Sequence, residues 1–470
     1  MPYYKATFLF PTGSNIIPIF AFQILQMELF NQIFQFVLSI SILVILHELG
    51  HFIPAKLFKT KVEKFYLFFD PWFSLVKKKI GETEYGIGWL PFGGYVKIAG
   101  MVDESMDTEQ LKKPAEPWEF RSKPAWQRLI IMLGGVTVNF FLAWLIYSCL
   151  SFFNGETYHD NAKFENGIAV SEEGRKMGLE TGDKILKIDG KPAERMETSM
   201  INMLFANEAT VLRNGKEVTF PVNENGVAEV IKSNEAKAYF SPRFPAVIDS
   251  IAPNMGAQKA GLLKGDKIVS VNGKPALFFD EISGEVTANK NKTVTIGVER
   301  NGEKLELPVN VDAKGKIGFT PDFKVMMASF EKTSVTKEYG FLQAIPRGFT
   351  RTIDVLVMQI KQFKIIFNQK TKGYTKVSGP IGIIKQMPAQ IDWVAFWSFT
   401  AMFSVWLAFL NLIPIPGLDG GHVLFTLWEM VTGKPVPQKV LENAQMIGVI
   451  FLLGLMILIF GSDIYKLIFN

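Results

Sequence analysis

The chain has one cysteine and four histidines among 470 residues. A single thiol, Cys149, excludes an intramolecular disulfide and any cysteine-rich metal site. Lying in an apolar run, it reads as a small packing residue. Charge of one sign is also scarce: 50 Lys and Arg face 45 Asp and Glu, a net of +5. No nucleic-acid-binding motif accompanies that small excess, so nucleic acid is not an expected partner. There is no G-x-S-x-G, and so few histidines leave no serine-hydrolase triad.

What the chain has in quantity is apolar: 48% of it is hydrophobic, with 41 Phe. At this length the profile suits several units, with membrane spans between soluble parts. Four segments are long and apolar enough to cross a bilayer, which takes about 20 residues. They lie near 30–58, 126–153, 393–412 and 445–460. Lys and Arg crowd between positions 56 and 128, which marks that stretch as a cytoplasmic loop. The large central region and both termini are then extracytoplasmic.

The expected division starts with 1–26, a segment given no function. Pro2, Pro11, Gly13 and Pro18 interrupt its apolar pattern, and it lacks the basic start and cleavage site of a signal peptide. Met27, just before the first clean span, is an expected natural start. Residues 27–58 form the first transmembrane helix, 59–125 a cytoplasmic loop with a membrane-associated β-hairpin, and 126–153 the second span. Two β-rich domains follow at 154–235 and 236–315, then a linker with an amphipathic helix at 316–391. The third span occupies 392–422 and the fourth, with a C-terminal tail, 423–470. The expected fold class is thus a multi-span α-helical membrane protein with four transmembrane helices and two inserted β-rich domains.

An internal repeat sets the architecture of the centre. Residues 178–193, GLETGDKILKIDGKPA, and 261–276, GLLKGDKIVSVNGKPA, share ten of sixteen positions. Each copy has a Gly-Asp turn, a short apolar alternation and an Asp-Gly or Asn-Gly turn, which is strand punctuation. Asn301-Gly302 marks a further hairpin. The shared string resembles the core of a PDZ domain as found in bacterial membrane proteases. PDZ domains bind peptide ends by strand addition, so the pair is expected to bind or exclude peptide ectodomains. Between Phe341 and Asn368, apolar positions alternate with Arg347, Arg351, Lys361 and Lys364, as in a helix lying on a membrane surface.

His47-Glu48-Leu49-Gly50-His51 closes the first span. Residues four apart project from one helix face about 6 Å apart along the axis, so both imidazoles can grip one ion. Glu48 adjoins the first of them, where it can take a proton from an activated water. An ionisable group at mid-membrane costs on the order of 2.5–3.5 kcal/mol. Zinc binding, about 10–16 kcal/mol in small structural sites, offsets that cost. A catalytic site needs a third protein ligand. The segment from Asn411 to His422, NLIPIPGLDGGH, breaks the third span at the level where the first ends. On chemistry alone Asp419 or His422 fits; Asp419 is favoured, because a carboxylate there is costly unless it meets a cation.

HELGH with NLIPIPGLDGGH, flanking tandem PDZ-like repeats, resembles the site-2 protease family of intramembrane metalloproteases, in its bacterial branch. The resemblance covers nearly the whole chain from Met27 onward. It implies zinc held by His47, His51 and Asp419, Glu48 as catalytic acid/base, and Asn411 as a substrate contact. It implies cleavage inside a transmembrane protein substrate, such as an anti-sigma factor or a signal-peptide remnant, from within the lipid bilayer of the inner membrane. WLPFGGYVK (89–97) resembles the family's edge-strand hairpin, so Gly93, Gly94 and Tyr95 are expected to contact the unwound substrate. LGGVTVN (133–139) has Val136 where relatives often carry proline, with Asn139 kept. Two rivals remain: a non-enzymatic scaffold with a structural metal site closed by a fourth ligand such as His422, and a metal transporter, which the nearly polar-free fourth span disfavours.

Overall fold

The computed structural model describes residues 16–101, 114–233 and 239–469. Residues 1–15, most of the N-terminal segment without an assigned function, lie outside it, as do Lys112 and Lys113 of the basic loop. The described residues form two compact units: one from the part of the chain up to 154, with 339–362 and 377–469, and one from the part between 155 and 338, with 363–376.

The first unit holds α1 (Ile16–Leu57), α2 (Ala125–Asn154), α3 (Phe341–Ile366), α4 (Trp393–Leu412), α5 (Asp419–Thr432) and α6 (Gln438–Phe469), with a single short turn of helix, Pro380–Ile384, between α3 and α4. Four candidate spans fall on α1, α2, α4 and α6, at Gln26–Leu57, Ala125–Asn154, Trp393–Leu412 and Gln438–Ile468. These helices are apolar nearly all round, as expected where lipid is the neighbour. α1 and α2 meet at glycines. A Cβ on Gly50 would strike the Gly134 carbonyl, and one on Gly134 would strike that of Gly50. Small polar groups then fasten α4: Thr400 donates to Ser39 of α1 (2.9 Å), and Ser404 to the Asn139 carbonyl of α2 (2.8 Å).

α4 ends at Leu412, where the apolar stretch 393–412 ends, and the LDG motif, grouped with it in the segment 392–422, opens a separate helix. Pro414 and Pro416 bias the residues before them away from helical backbone, and Gly417 takes φ +98°. α3 is amphipathic and crosses α2 where Gly348 meets Ser148. Further along it reaches α4, with Gln359 donating to the Met402 carbonyl (3.3 Å). Asp463 of α6 is buried and accepts the backbone N–H groups of Gly379, Ile381 and Gly382, which fixes the break after α3.

Between α1 and α2 lies a four-stranded sheet of β1 (Val62–Phe69), β2 (Val76–Ile80), β3 (Thr83–Ile87) and β4 (Leu90–Ile98), in the order β2-β3-β1-β4. β4 pairs antiparallel with β1 and forms the sheet's edge.

The second unit is β-rich and repeats as the sequence does. Strands Lys184–Ile188 and Lys267–Val271 each pair with a later strand, Glu208–Arg213 and Thr293–Arg300. The turns carry their signal: Asp189-Gly190, Asn214-Gly215, Asn272-Gly273 and Asn301-Gly302 all have positive φ at both residues, the type I′ requirement. Equivalent side chains fill the two cores, Leu179, Ile185 and Ile188 in one and Leu262, Ile268 and Val271 in the other. Each copy draws its last strand from beyond the anticipated boundary. Phe240–Pro242 pairs with Ile168–Val170, and Phe319–Pro321 with Ile248–Ile251. The buried Asp of each Gly-Asp turn is gripped by an arginine: Asp183 by Arg213 and Asp266 by Arg300.

Candidate metal centre and substrate cavity

Helical spacing puts His47 and His51 on the face of α1 that meets α2, where they are 7% and 5% exposed. Gly135 makes room for them; a Cβ there would collide with His51 Nε2 and His47 Cε1. Asp419, first residue of α5, completes a triangle. Its Oδ2 lies 3.3 Å from His47 Nε2 and 3.2 Å from His51 Nε2, which are 3.3 Å from each other. Tetrahedral zinc with bonds of about 2.0–2.2 Å spaces its ligand atoms about 3.3–3.5 Å apart. The three atoms therefore match a zinc site without rearrangement. Asp419 Oδ2 is buried with no hydrogen-bond partner, which is costly unless a cation meets it. Among the described residues, the donors lying within 4.8 Å of one another are these three, and His422 is not in the set.

Neighbouring groups hold the three side chains in place. His51 Nδ1 lies 2.8 Å from the Ile131 carbonyl, which accepts its hydrogen and leaves Nε2, the atom facing Asp419, open to a metal. Arg128 of α2 pairs with Glu429 of α5 at 2.5 Å and ties down the helix that carries Asp419. The loop before that helix leans on α6: Gly417 N–H donates to Gln445 (3.1 Å), and Gly448 is packed against Pro416. The fourth span thus supplies a buried polar group that hydropathy alone discounted.

A cavity of about 690 Å³ opens beside the triangle. Glu48, Asn411, Gly93, Gly94, Tyr95 and His422 line it, so the anticipated site residues converge on one space. Glu48 is half-buried, and its carboxylate accepts a hydrogen bond from the Val96 backbone of β4. Asn411 Nδ2 stands 3.2 Å from His47 Nε2, on the ligand side of that ring. Gly94 brings β4 close, since a Cβ would meet the Tyr66 carbonyl and Val44. Tyr95 stacks on Tyr66, with ring centroids 5.3 Å apart, and donates to Asp70 (2.9 Å). Burial first, then that hydrogen bond, hold its hydroxyl well above the usual phenol range, so it remains a donor. Asp70 and Lys64, which also line the cavity, escaped the sequence reading because no motif marks them. His159, the other histidine, sits in the β-rich unit, 3.0 Å from the Thr333 hydroxyl.

Four membrane-length helices, two histidines and an aspartate at ligand spacing, and a glutamate in the adjoining cavity define the class of membrane metalloproteases. The profile of Peptidase family M50 matches residues 35–455, and the chain belongs to that family. It is 30% identical over 461 residues to the regulator of sigma E protease of Haemophilus influenzae, a match covering 92% of this chain and 98% of that one. It is likewise 30% identical over 456 residues to the regulator of sigma-E protease of Escherichia coli, with the same coverage. A relative in Neisseria meningitidis, 27% identical over 458 residues, bears the name of a zinc metalloprotease. The chain is accordingly a site-2-type zinc metalloendopeptidase of the membrane.

Proposed function

We propose that the protein hydrolyses peptide bonds within transmembrane segments of single-pass membrane proteins, with His47, His51 and Asp419 as zinc ligands and Glu48 as general base and acid. The observation that carries this reading is the three-donor triangle with Glu48 in the adjoining cavity. Three protein ligands leave a position open, as catalytic zinc requires, whereas a structural site is closed by four. Bound there, zinc supplies a Lewis acid that brings the pKa of a water towards about 7 and polarises a carbonyl.

The chain's own groups do the rest. A substrate helix hides its carbonyls and must unwind to be cut. The free edge of β4 at Gly93, Gly94 and Tyr95 offers backbone partners to such an extended strand. Asn411 directs its amide at the scissile carbonyl and stabilises the charge that develops on its oxygen. Glu48 accepts a proton from the attacking water and returns it to the leaving nitrogen. The Val96 N–H keeps the carboxylate aimed while it waits.

The relatives named for sigma-E regulation point to anti-sigma factors as substrates, with signal-peptide remnants as a second class. In this reading the metal centre lies towards the cytoplasmic side, and the β-rich unit is a tandem of PDZ-like domains outside, which admits or rejects substrates by their ectodomains. The test is cleavage of a purified single-span substrate in detergent. Wild type should cut, while Glu48→Gln and chelator-treated wild type should not. Cleavage surviving the substitution would remove Glu48 from its role. A zinc-loaded wild type that cuts no membrane substrate would favour the scaffold.

A further inference from the structure

Asn139 is fully buried on α2, one turn beyond Gly135. Its Nδ2 stands 3.1 Å from His47 Nδ1, while its Oδ1 is buried without a partner. In that orientation the amide donates to Nδ1, and the imidazole must carry its own hydrogen on Nε2. Yet His47 Nε2 is the atom 3.3 Å from both Asp419 Oδ2 and His51 Nε2. A nitrogen that binds metal carries no hydrogen. Half a turn of the amide about Cβ–Cγ exchanges oxygen and nitrogen in place. The orphaned oxygen then receives the Nδ1 hydrogen, and Nε2 is freed.

We infer that Asn139 is a positioning residue: its Oδ1 accepts the His47 Nδ1–H and fixes the tautomer that turns Nε2 towards the metal. The inference rests on His47 being a ligand. Asn139 does for His47 what the Ile131 carbonyl does for His51, and both acceptors come from α2. The position is braced twice. Gly135 lets α2 approach the rings, and Ser404 holds the Asn139 carbonyl at 2.8 Å. Partners of this kind typically contribute 10–100-fold to metal affinity.

The experiment measures zinc Kd by chelator competition in purified wild type, Asn139→Asp, Asn139→Leu and Asn139→Ala, with the cobalt-substituted absorption spectrum as a second readout. Asp keeps an acceptor and should bind zinc within about threefold of wild type with an unchanged cobalt spectrum. Leu and Ala remove it and should weaken binding 10–100-fold. Two apolar replacements of different size keep the comparison intact if either disturbs folding. Asp binding more weakly than Leu or Ala would mean that the residue donates, and all variants matching wild type would mean that it does neither; each overturns the inference. Failure of wild type itself to bind zinc would instead remove the reading of His47 as a ligand.

Discussion

Gly50 of α1 and Gly134 of α2 touch backbone to backbone, each occupying the space where the other's Cβ would go. Gly135 beside them faces the two imidazoles. Alanine at position 135 must push α2 away from His47 and His51 or turn their rings. Overpacking of this kind costs about 1–3 kcal/mol. Gly135→Ala should therefore lower the melting temperature and weaken zinc binding at least tenfold, read by calorimetry and chelator competition. An alanine variant with wild-type affinity would show that the close approach does not set the ligand geometry.

Asn411 should separate chemistry from metal binding. Removing one donor to a developing oxyanion typically costs 10²–10³ in kcat. Asn411→Ala is expected to lose that much while keeping its zinc and most of its KM. Loss of zinc in parallel would make the residue a support for His47 instead.

Gly94→Val probes the strand edge. A side chain there runs into Tyr66 and Val44 and displaces β4 from its place beside Glu48. Cleavage should fall about tenfold or more in kcat/KM, since small misplacements of a bound chain cost up to about 10²-fold. Metal content should not change. Equal cleavage by wild type and variant would take β4 out of substrate binding.

Asp266 gives a pH signature within the β-rich unit. Burial raises its carboxyl, but the Arg300 hydrogen bonds and the Leu263 N–H more than reverse this and hold it below its ordinary 3.8. A group depressed in the folded state stabilises above its unfolded pKa, and that contribution fades as pH falls through the folded value. Arg300→Met should thus lower the melting temperature most at neutral pH, with a gap to wild type that narrows below about pH 4. A gap constant from pH 7 to pH 3 would show that the arginine acts by packing alone.

Much of the site could be read from local spacing. HELGH sets two imidazoles one helical turn apart, the LDG motif offered Asp419 or His422 as a third donor, and Asn-Gly or Asp-Gly pairs commit the backbone to tight turns wherever they occur. What stayed hidden depends on groups that meet only after folding. Nothing near Gly50 announces Gly134, and Asp266 finds Arg300 across an intervening helix. Gln445 looked like one polar residue in an apolar span until its oxygen met the Gly417 N–H. The last strands of the two repeats, Phe240–Pro242 and Phe319–Pro321, are too short for any alternation to show. The break at Leu412 was legible in its prolines, but not that a new helix would begin at Asp419.

The metal triangle joins residues 47 and 51 to residue 419, and the loop before Asp419 rests on Gln445. The order of synthesis therefore matters. If these three are the ligands, a growing chain carries both histidines long before it carries the third donor, Asp419. Its support arrives later still. On the proposed roles, early insertion into the bilayer, among other newly made helices, proceeds without a complete cutting centre, and competence waits for α5 and the α6 support behind it.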